Sequence, residues 1–281
     1  MRDRSETALP ASDAQEHFLL QLDDRLRPLA DAEQIQSEAA RALGEHLGAS
    51  RVGYAEISAD DATSLVTRNC TDGVRGIEGP CRAEDYSPTL LPALRAGRIV
   101  VRADVAGDQT LSLAEKGAHH SLQIGATVDV PLVKAGRLVA VLFMHHRHAH
   151  RWTPEELALL QVVATRTWEA VERARAEAAL RESEARLRLA LEVAELGTWT
   201  WNLDTGTGDL DTRGAEIVGI APGDLTSVAE AQLASIHPAD LAAVQAAIAL
   251  GVADGRSFDR LPRSISRRRD SPRGVTRARR R

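Results

Sequence analysis

Apolar residues recur at three- and four-residue spacing in "AQEHFLLQLDDRLRPL" and "DAEQIQSEAARALGEHLG". That period predicts a helix pair over 14–48, with Gly48 as the stop. The pattern then alternates. "RVGYAEI" (51–57) reads as a strand, "SADDATS" as a turn and "LVTRNC" as a second strand. Pro and Gly mark 73–80 as loop. "EDYSPTLLPALRAG" reads as a short helix interrupted by Pro88 and Pro92, "RIVVRADV" (98–105) as a third strand, and "DQTLSLAEKGAHH" as loop with one or two helical turns.

A hairpin follows. "IGATVDVPLV" (124–133) and "RLVAVLFMHH" (137–146) flank the turn at 134–136. Residues 138–144 are apolar at both parities, as expected of a central strand covered on both faces. Thr153-Pro154-Glu155-Glu156 then carries a helix start: Thr153 as N-cap, Pro154 at N1 and Glu156 at N3 form a capping box, with Trp152 and Leu157 as its staple. No Gly or Pro interrupts 155–195, so one helix is predicted over 153–195. Leu157, Leu160, Ala164, Trp168 and Val171 give it an apolar stripe. Ala174, Ala178, Leu180, Leu187 and Leu191 give a weaker seam beyond, and Glu-to-Arg pairs such as Glu182–Arg186 mark its solvated face. After it, "LGTWTWNLDTGTGDLD" reads as two strands around a tight turn, "TRGAEIVGI" as a short helix, and "HPADLAAVQAAIALG" as a further helix.

Composition refines this picture. Aromatics are 3% of the 281 residues, so the core rests on Ala, Val, Leu and Ile. No run of about 18 apolar residues is present, so no membrane span is expected, and the opening residues do not read as a signal peptide. Two cysteines, Cys70 and Cys81, make no disulfide framework; a cytoplasmic location is expected. The net charge of −5 conceals an asymmetry: residues 256–281 hold eleven Arg against Asp259 and Asp270, while the rest of the chain carries a net of −14. The tail 260–281 lacks periodicity and is expected to be disordered, as are residues 1–13. With Phe258 its only aromatic, the Arg-rich stretch offers no stacking, and nucleic-acid binding is kept as an alternative only.

Three candidate chemistries can be weighed on residues alone. His145, His146, His148 and His150 crowd six positions. On an extended segment His146, His148 and His150 would share a side at roughly 6.6 Å spacing, enough for two ligands but not a closed metal site. A solvated loop and no metal are expected. Cys70 and Cys81, eleven residues apart around a loop, could form a redox pair with Arg68, Arg75 and Arg82 near in sequence. No G-x-G-x-x-G or P-loop pattern occurs.

The text "VVRADVAGD" (100–108), "GATVDVPLVKAGRLVAVLFMHH" (125–146) and "RWTPEELALLQVVATRTWEAVERARAEAALRESEARLRLAL" (151–191) resembles a GAF domain over 14–175 and the helical linker that follows it in bacterial PAS/GAF sensor histidine kinases, including the HWE type. "GTWTWNLDTGTGDLD" and "IHPAD" resemble the opening of a PAS domain, here incomplete over 196–259: "SFDRLPRSISRRRDSPRG" replaces the strands that should follow. The resemblance implies an α+β fold: a GAF-like antiparallel sheet with flanking helices, a long connecting helix and an incomplete PAS-like segment. It implies the sensory input module of a two-component signalling protein, a parallel homodimer through 153–195, and no catalytic domain in this chain. It places a small-molecule pocket on the sheet face away from the terminal helices, drawing on Tyr54, Tyr86, Leu91, Asp104, Ile124, Val128 and Phe143. No cofactor is required by it. Phytochrome GAF domains attach a bilin through a Cys-His pair, but here Lys116 and Gly117 fall at those positions, so a covalent bilin is not expected. Some free-standing GAF proteins reduce methionine sulfoxide with pocket cysteines, which makes a thiol-dependent reductase the enzymatic alternative.

Overall fold

A computed structural model describes residues 8–58, 64–81, 90–201, 208–218, 236–254, 258–260 and 276–278. The chain divides into two units, residues 1–180 and 181–281.

The first unit opens with α1 (Ala8–Leu26), which begins inside the stretch expected to be disordered, and α2 (Ala32–Leu47). Asp31 caps α2 by accepting from Gln34 N–H, and Gly48 ends it at φ 62°, the left-handed conformation that glycine adopts without steric cost. Six strands follow: β1 (Arg51–Ile57), β2 (Ser64–Thr71), β3 (Gly79–Cys81), β4 (Val100–Arg102), β5 (Ala126–Lys134) and β6 (Arg137–His146). They form one antiparallel sheet in the order β3-β2-β1-β6-β5-β4. β3 lies in the stretch read as loop, and β4 is shorter than predicted. The β5–β6 hairpin turns through Ala135 and Gly136, both at positive φ, the backbone of a type I′ turn.

α5 (Pro154–Val193) starts where its cap predicted. Thr153 N–H donates to Glu156 Oε2 (2.8 Å) and Glu156 N–H to Thr153 Oγ1 (3.2 Å). One face of the sheet packs on α1, α2 and the first half of α5. Val52, Tyr54, Val128, Val130, Leu142 and Met144 meet Leu22, Ile35, Leu43, Leu160, Val163 and Val171 in a single core. Ion pairs close its rim: Arg166 with Asp23 on α1, and Arg175, whose Nη2 donates to both carboxylate oxygens of Glu56, the Oε1 of which also accepts from Gln36 (2.6 Å). From residue 175 to 190 every α5 side chain is exposed, Leu180 and Leu187 among them, and Glu182 pairs with Arg186. The other sheet face is covered by α3 (Leu90–Arg95) and α4 (Leu113–Ser121). α4 carries a full Ser112/Glu115 capping box and is a longer helix than expected.

In the second unit, β7 (Trp199–Trp201) pairs with β8 (Gly208–Leu210). Asp211 caps α6 (Thr212–Val218), accepting from Gly214 N–H (2.6 Å) and from Thr198. α7 (Pro238–Asp254) follows, and β9 (Phe258–Arg260) pairs with β10 (Thr276–Ala278), which lies within the tail 260–281 expected to be disordered. The tight turn expected near 205–208 lies largely outside the described residues. Among the described residues no helix is long and apolar enough to cross a membrane.

Candidate functional site

Alternation along the strands sends every second side chain to the face opposite the helical core. Register makes those side chains into rows. Arg51 stands opposite His145, His145 opposite Thr127, and Thr127 opposite Arg102. This polar row crosses β1, β6, β5 and β4. The next row is Gly53, Phe143, Asp129 and Val100, and the one after it is Ala55, Val141 and Pro131. One end of the face is therefore charged and the other aliphatic.

A cavity of about 90 Å³ lies on these rows. Its polar end is lined by Arg102, His119, Thr127, Asp129 and His145, and its apolar end by Ala55, Ile57, Val66, Leu90, Leu91, Leu94 and Val141. Phe143 lies between them and stacks on His145 (centroids 5.0 Å apart, 24°). Gly53 makes room for it: a Cβ there would stand 2.5 Å from Phe143 Cζ and 2.8 Å from Asn69 Cβ.

Each polar group is held. Arg51, 1% exposed, donates from Nε and Nη2 to the carbonyl of Arg75, from Nη2 to that of Leu122 (2.9 Å), and from Nη1 to His145 Nδ1 (3.1 Å). A guanidinium only donates, so His145 Nδ1 accepts and the neutral ring carries its proton on Nε2. Burial, then the neighbouring Arg51, drives the His145 pKa well below its ordinary value. His119 shares Nδ1–H with the carbonyl of Glu115 (2.7 Å), and burial lowers its pKa too. Thr127 Oγ1 donates to Asp129 Oδ2 (3.1 Å). Burial pushes Asp129, 8% exposed, up to about 6, against the opposing pull of Thr127 and Arg102. Arg102, 9% exposed, reaches Asp108 (3.5 Å), whose carboxyl Thr110 holds below the usual range.

Of the residues expected to form the pocket, Leu91, Ile124 and Phe143 line this cavity. Tyr54 and Val128 belong to the opposite, helix-covered face. Asp104 caps the loop after β4 by accepting from Gly107 N–H (3.1 Å). Tyr86 lies outside the described residues. Arg51, Arg102, His119, Thr127 and Asp129 are not among the expected pocket residues, and His145 is weighed in the sequence only as part of the histidine run. A signal was present: Thr127 and Asp129 put two polar residues at one parity of an otherwise apolar strand.

The histidine run is not a solvated loop throughout. His145 is buried in the site. His146 stacks on His150 (4.0 Å, 14°), and both rings contact Trp152. His150 Nε2 lies 3.2 Å from Glu156, and only His148 of the four is fully exposed. Among the described residues no group of three metal-ligating side chains converges. Burial raises the Cys70 thiol pKa, the reverse of what a nucleophilic thiolate needs. The Cys81 side chain lies outside the described residues.

A family model for the GAF domain matches residues 31–171, and the chain belongs to that family. Its fold is similar to the phycocyanobilin-bound GAF domain of a cyanobacterial phytochrome (18% identity, 58% of this chain and 96% of that one, TM-score 0.52). It is also similar to the chromophore-binding domain of an unusual bacteriophytochrome from R. palustris (15%, 65% of each chain, TM-score 0.50) and to a free methionine-R-sulfoxide reductase from Neisseria meningitidis (17%, 58% and 91%, TM-score 0.48). Those identities speak to the fold alone. No curated protein matches the chain. A tetrapyrrole does not fit this site: the cavity is far below the roughly 300–1,000 Å³ of drug-sized ligand sites, and Lys116 on α4 donates its Nζ to the carbonyl of Ala106 in the loop after β4 (2.9 Å).

Proposed function

We propose that the chain is the sensory input module of a two-component signalling protein: the GAF cavity takes a small molecule, and α5 relays its occupancy to a PAS segment at 196–259 and an output of the histidine-kinase type. The two copies pair in parallel through α5. One observation carries the relay. Arg102 lines the cavity with its side chain, while its carbonyl accepts from Trp152 Nε1 (3.3 Å), the residue just before the α5 cap. β6 adds a second link, with Val141, Phe143 and His145 on the cavity and Ala140, Leu142 and Met144 on the core that α5 closes. A ligand that prefers one placement of Arg102 and β6 would bias one placement of α5. The exposed Leu180 and Leu187 supply the pairing seam.

Spin labels at Arg188→Cys, with Cys70 and Cys81 replaced by Ser, test this reading. A dimer by light scattering is expected, with a short label-to-label distance that Arg102→Ala changes. A monomer at micromolar concentration, or distances that Arg102→Ala leaves untouched, would defeat it.

A further inference from the structure

Unmet hydrogen bonds narrow what the cavity takes, and this step rests on the reading of the cavity as a ligand site. From one buried donor and one buried acceptor that lack hydrogen-bond partners on its floor, we infer that the GAF cavity binds a small aliphatic carboxamide. The amide N–H donates to Asp129, the amide carbonyl accepts from His145, and the alkyl body lies on Val141 and Leu94.

Most of the polar lining is engaged within the protein. Arg102 pairs with Asp108 (3.5 Å) and has a further interaction. His119 shares Nδ1–H with the carbonyl of Glu115, and it too has a further interaction. Thr127 donates its hydroxyl proton to Asp129 Oδ2. Two groups remain. His145 accepts from Arg51 at Nδ1, so Nε2 carries the ring proton, and among the described residues nothing accepts it. Asp129 takes its one side-chain hydrogen bond on Oδ2, and among the described residues nothing donates to Oδ1. His145 is 6% exposed and Asp129 8%, and both line the cavity. Each unmet bond at such depth carries a penalty that a ligand can relieve.

Register sets the spacing. Thr127 stands opposite His145 and Phe143 opposite Asp129, so His145 and Asp129 hold diagonal positions on β6 and β5. Such positions lie about 7–8 Å apart, within reach of one small ligand. A carboxamide offers a donor and an acceptor from neighbouring atoms, matching a carboxylate on one side and an imidazole N–H on the other. The polar end holds both signs of charge, Arg102 and an Asp129 that titrates near 6 and is ionised at neutral pH, so neither a cation nor an anion is singled out. Either ion would also forfeit its hydration, which a neutral amide does not face to the same degree.

Shape sets the body. Beyond Phe143 the lining is aliphatic: Ala55, Ile57, Leu90, Leu94 and Val141. A volume of about 90 Å³ admits a body of a few carbons.

Methyl NMR titration of the full chain at neutral pH with isobutyramide, isobutyrate, isobutylamine and methyl isopropyl ketone tests the inference. Isobutyramide is expected to bind at millimolar concentration, as suits so small a ligand, and to shift the methyls of Leu94 and Val141. The ketone keeps the carbonyl and lacks the N–H, so it should bind at least about tenfold more weakly, the effect of a hydrogen bond to a charged group. Both ions should also bind more weakly than the amide. Asp129→Val removes the acceptor, and the affinity ratio of amide to ketone should fall to about one. Should Asp129→Val fail to fold, the order of the four ligands on the parent chain decides. An ion or the ketone binding as tightly as isobutyramide, a ratio that Asp129→Val leaves unchanged, or no isobutyramide binding at millimolar concentration would each overturn the inference. The α5 labels separate the two readings. An ion or the ketone that binds most tightly and shifts the label distance removes the carboxamide and keeps the sensor. Isobutyramide that binds most tightly without shifting it does the opposite.

Discussion

The two faces of the six-stranded sheet are built from the same strands and differ by one residue of register. The face toward α1, α2 and α5 is apolar and closed: Val52, Val128, Leu142 and Met144 are fully buried against helical Leu, Ile and Val. The opposite face buries Arg51, Arg102, Thr127, Asp129 and His145 around a cavity. Burial of charge carries a large cost unless each group is paired, so a core could be built more stably without these residues. One face supplies stability; the other forgoes some of it to hold polar groups at a void.

The largest expected effect probes that contrast directly. Leu142→Ala removes side-chain volume from the closed face and should destabilise by about 3 kcal/mol. Val141→Ala, its neighbour on the cavity face, borders space that already exists, so fewer contacts are lost and a clearly smaller decrease is expected. Denaturant titration of both variants checks the order; equal losses would erase the distinction between the faces.

Asp129→Asn comes next. The folded carboxyl titrates near 6, above its unfolded value of about 3.9. The native state therefore holds the proton more tightly. The stability this supplies is full below the unfolded pKa and is lost as pH rises through 6, a total of about 3 kcal/mol. His145 acts in the opposite sense: its depressed pKa gives stability present above about 6.5 and lost as pH falls through its folded pKa. The difference between the parent chain and Asp129→Asn isolates the carboxyl. The variant should gain relative stability between pH 4 and 7 and level off above. A flat difference curve would mean that Asp129 is not buried as described.

Gly53→Ala tests the cavity face itself, where its polar and aliphatic ends meet. The added methyl meets Phe143 and Asn69 inside contact distance, at a cost of about 1–3 kcal/mol. Gly53→Ala/Phe143→Leu should recover much of it. Absence of recovery would place the strain in the backbone rather than in the ring.

What the sequence discloses follows from range. The strand at 137–146, its turn and the Thr153 capping box are written in contiguous residues and could be read directly. So could the core stripe Leu160, Ala164, Trp168 and Val171. The site is written across strands up to 94 residues apart, as the pair Arg51–His145 shows. The resemblance puts Phe143 and Val128 in one pocket, yet Val128 pairs with Met144 and Phe143 with Asp129, so the two cannot share a face. Tyr54 is excluded likewise, because it pairs with Leu142. Parity within one strand was visible; the phase between strands was not. α4 is longer than its pattern suggests because its Ser112/Glu115 box precedes a mostly polar helix with little apolar period.

The smallest effect concerns the start of α5, where the cavity face and the helical face meet. Thr153→Ala removes the acceptor for Glu156 N–H and should cost about 1 kcal/mol. Trp152 still donates to the Arg102 carbonyl, and the apolar stripe from Leu160 to Val171 still packs, so the helix should persist with a frayed first turn. Hydrogen exchange should speed at residues 155–157 and remain unchanged from 160 to 174. Trp152→Phe removes the link to Arg102 while keeping the ring in the staple. If α5 is set by its packing alone, both variants will behave alike. If the cavity steers it through Arg102, Trp152→Phe will uncouple α5 from ligand while leaving its stability near that of the parent.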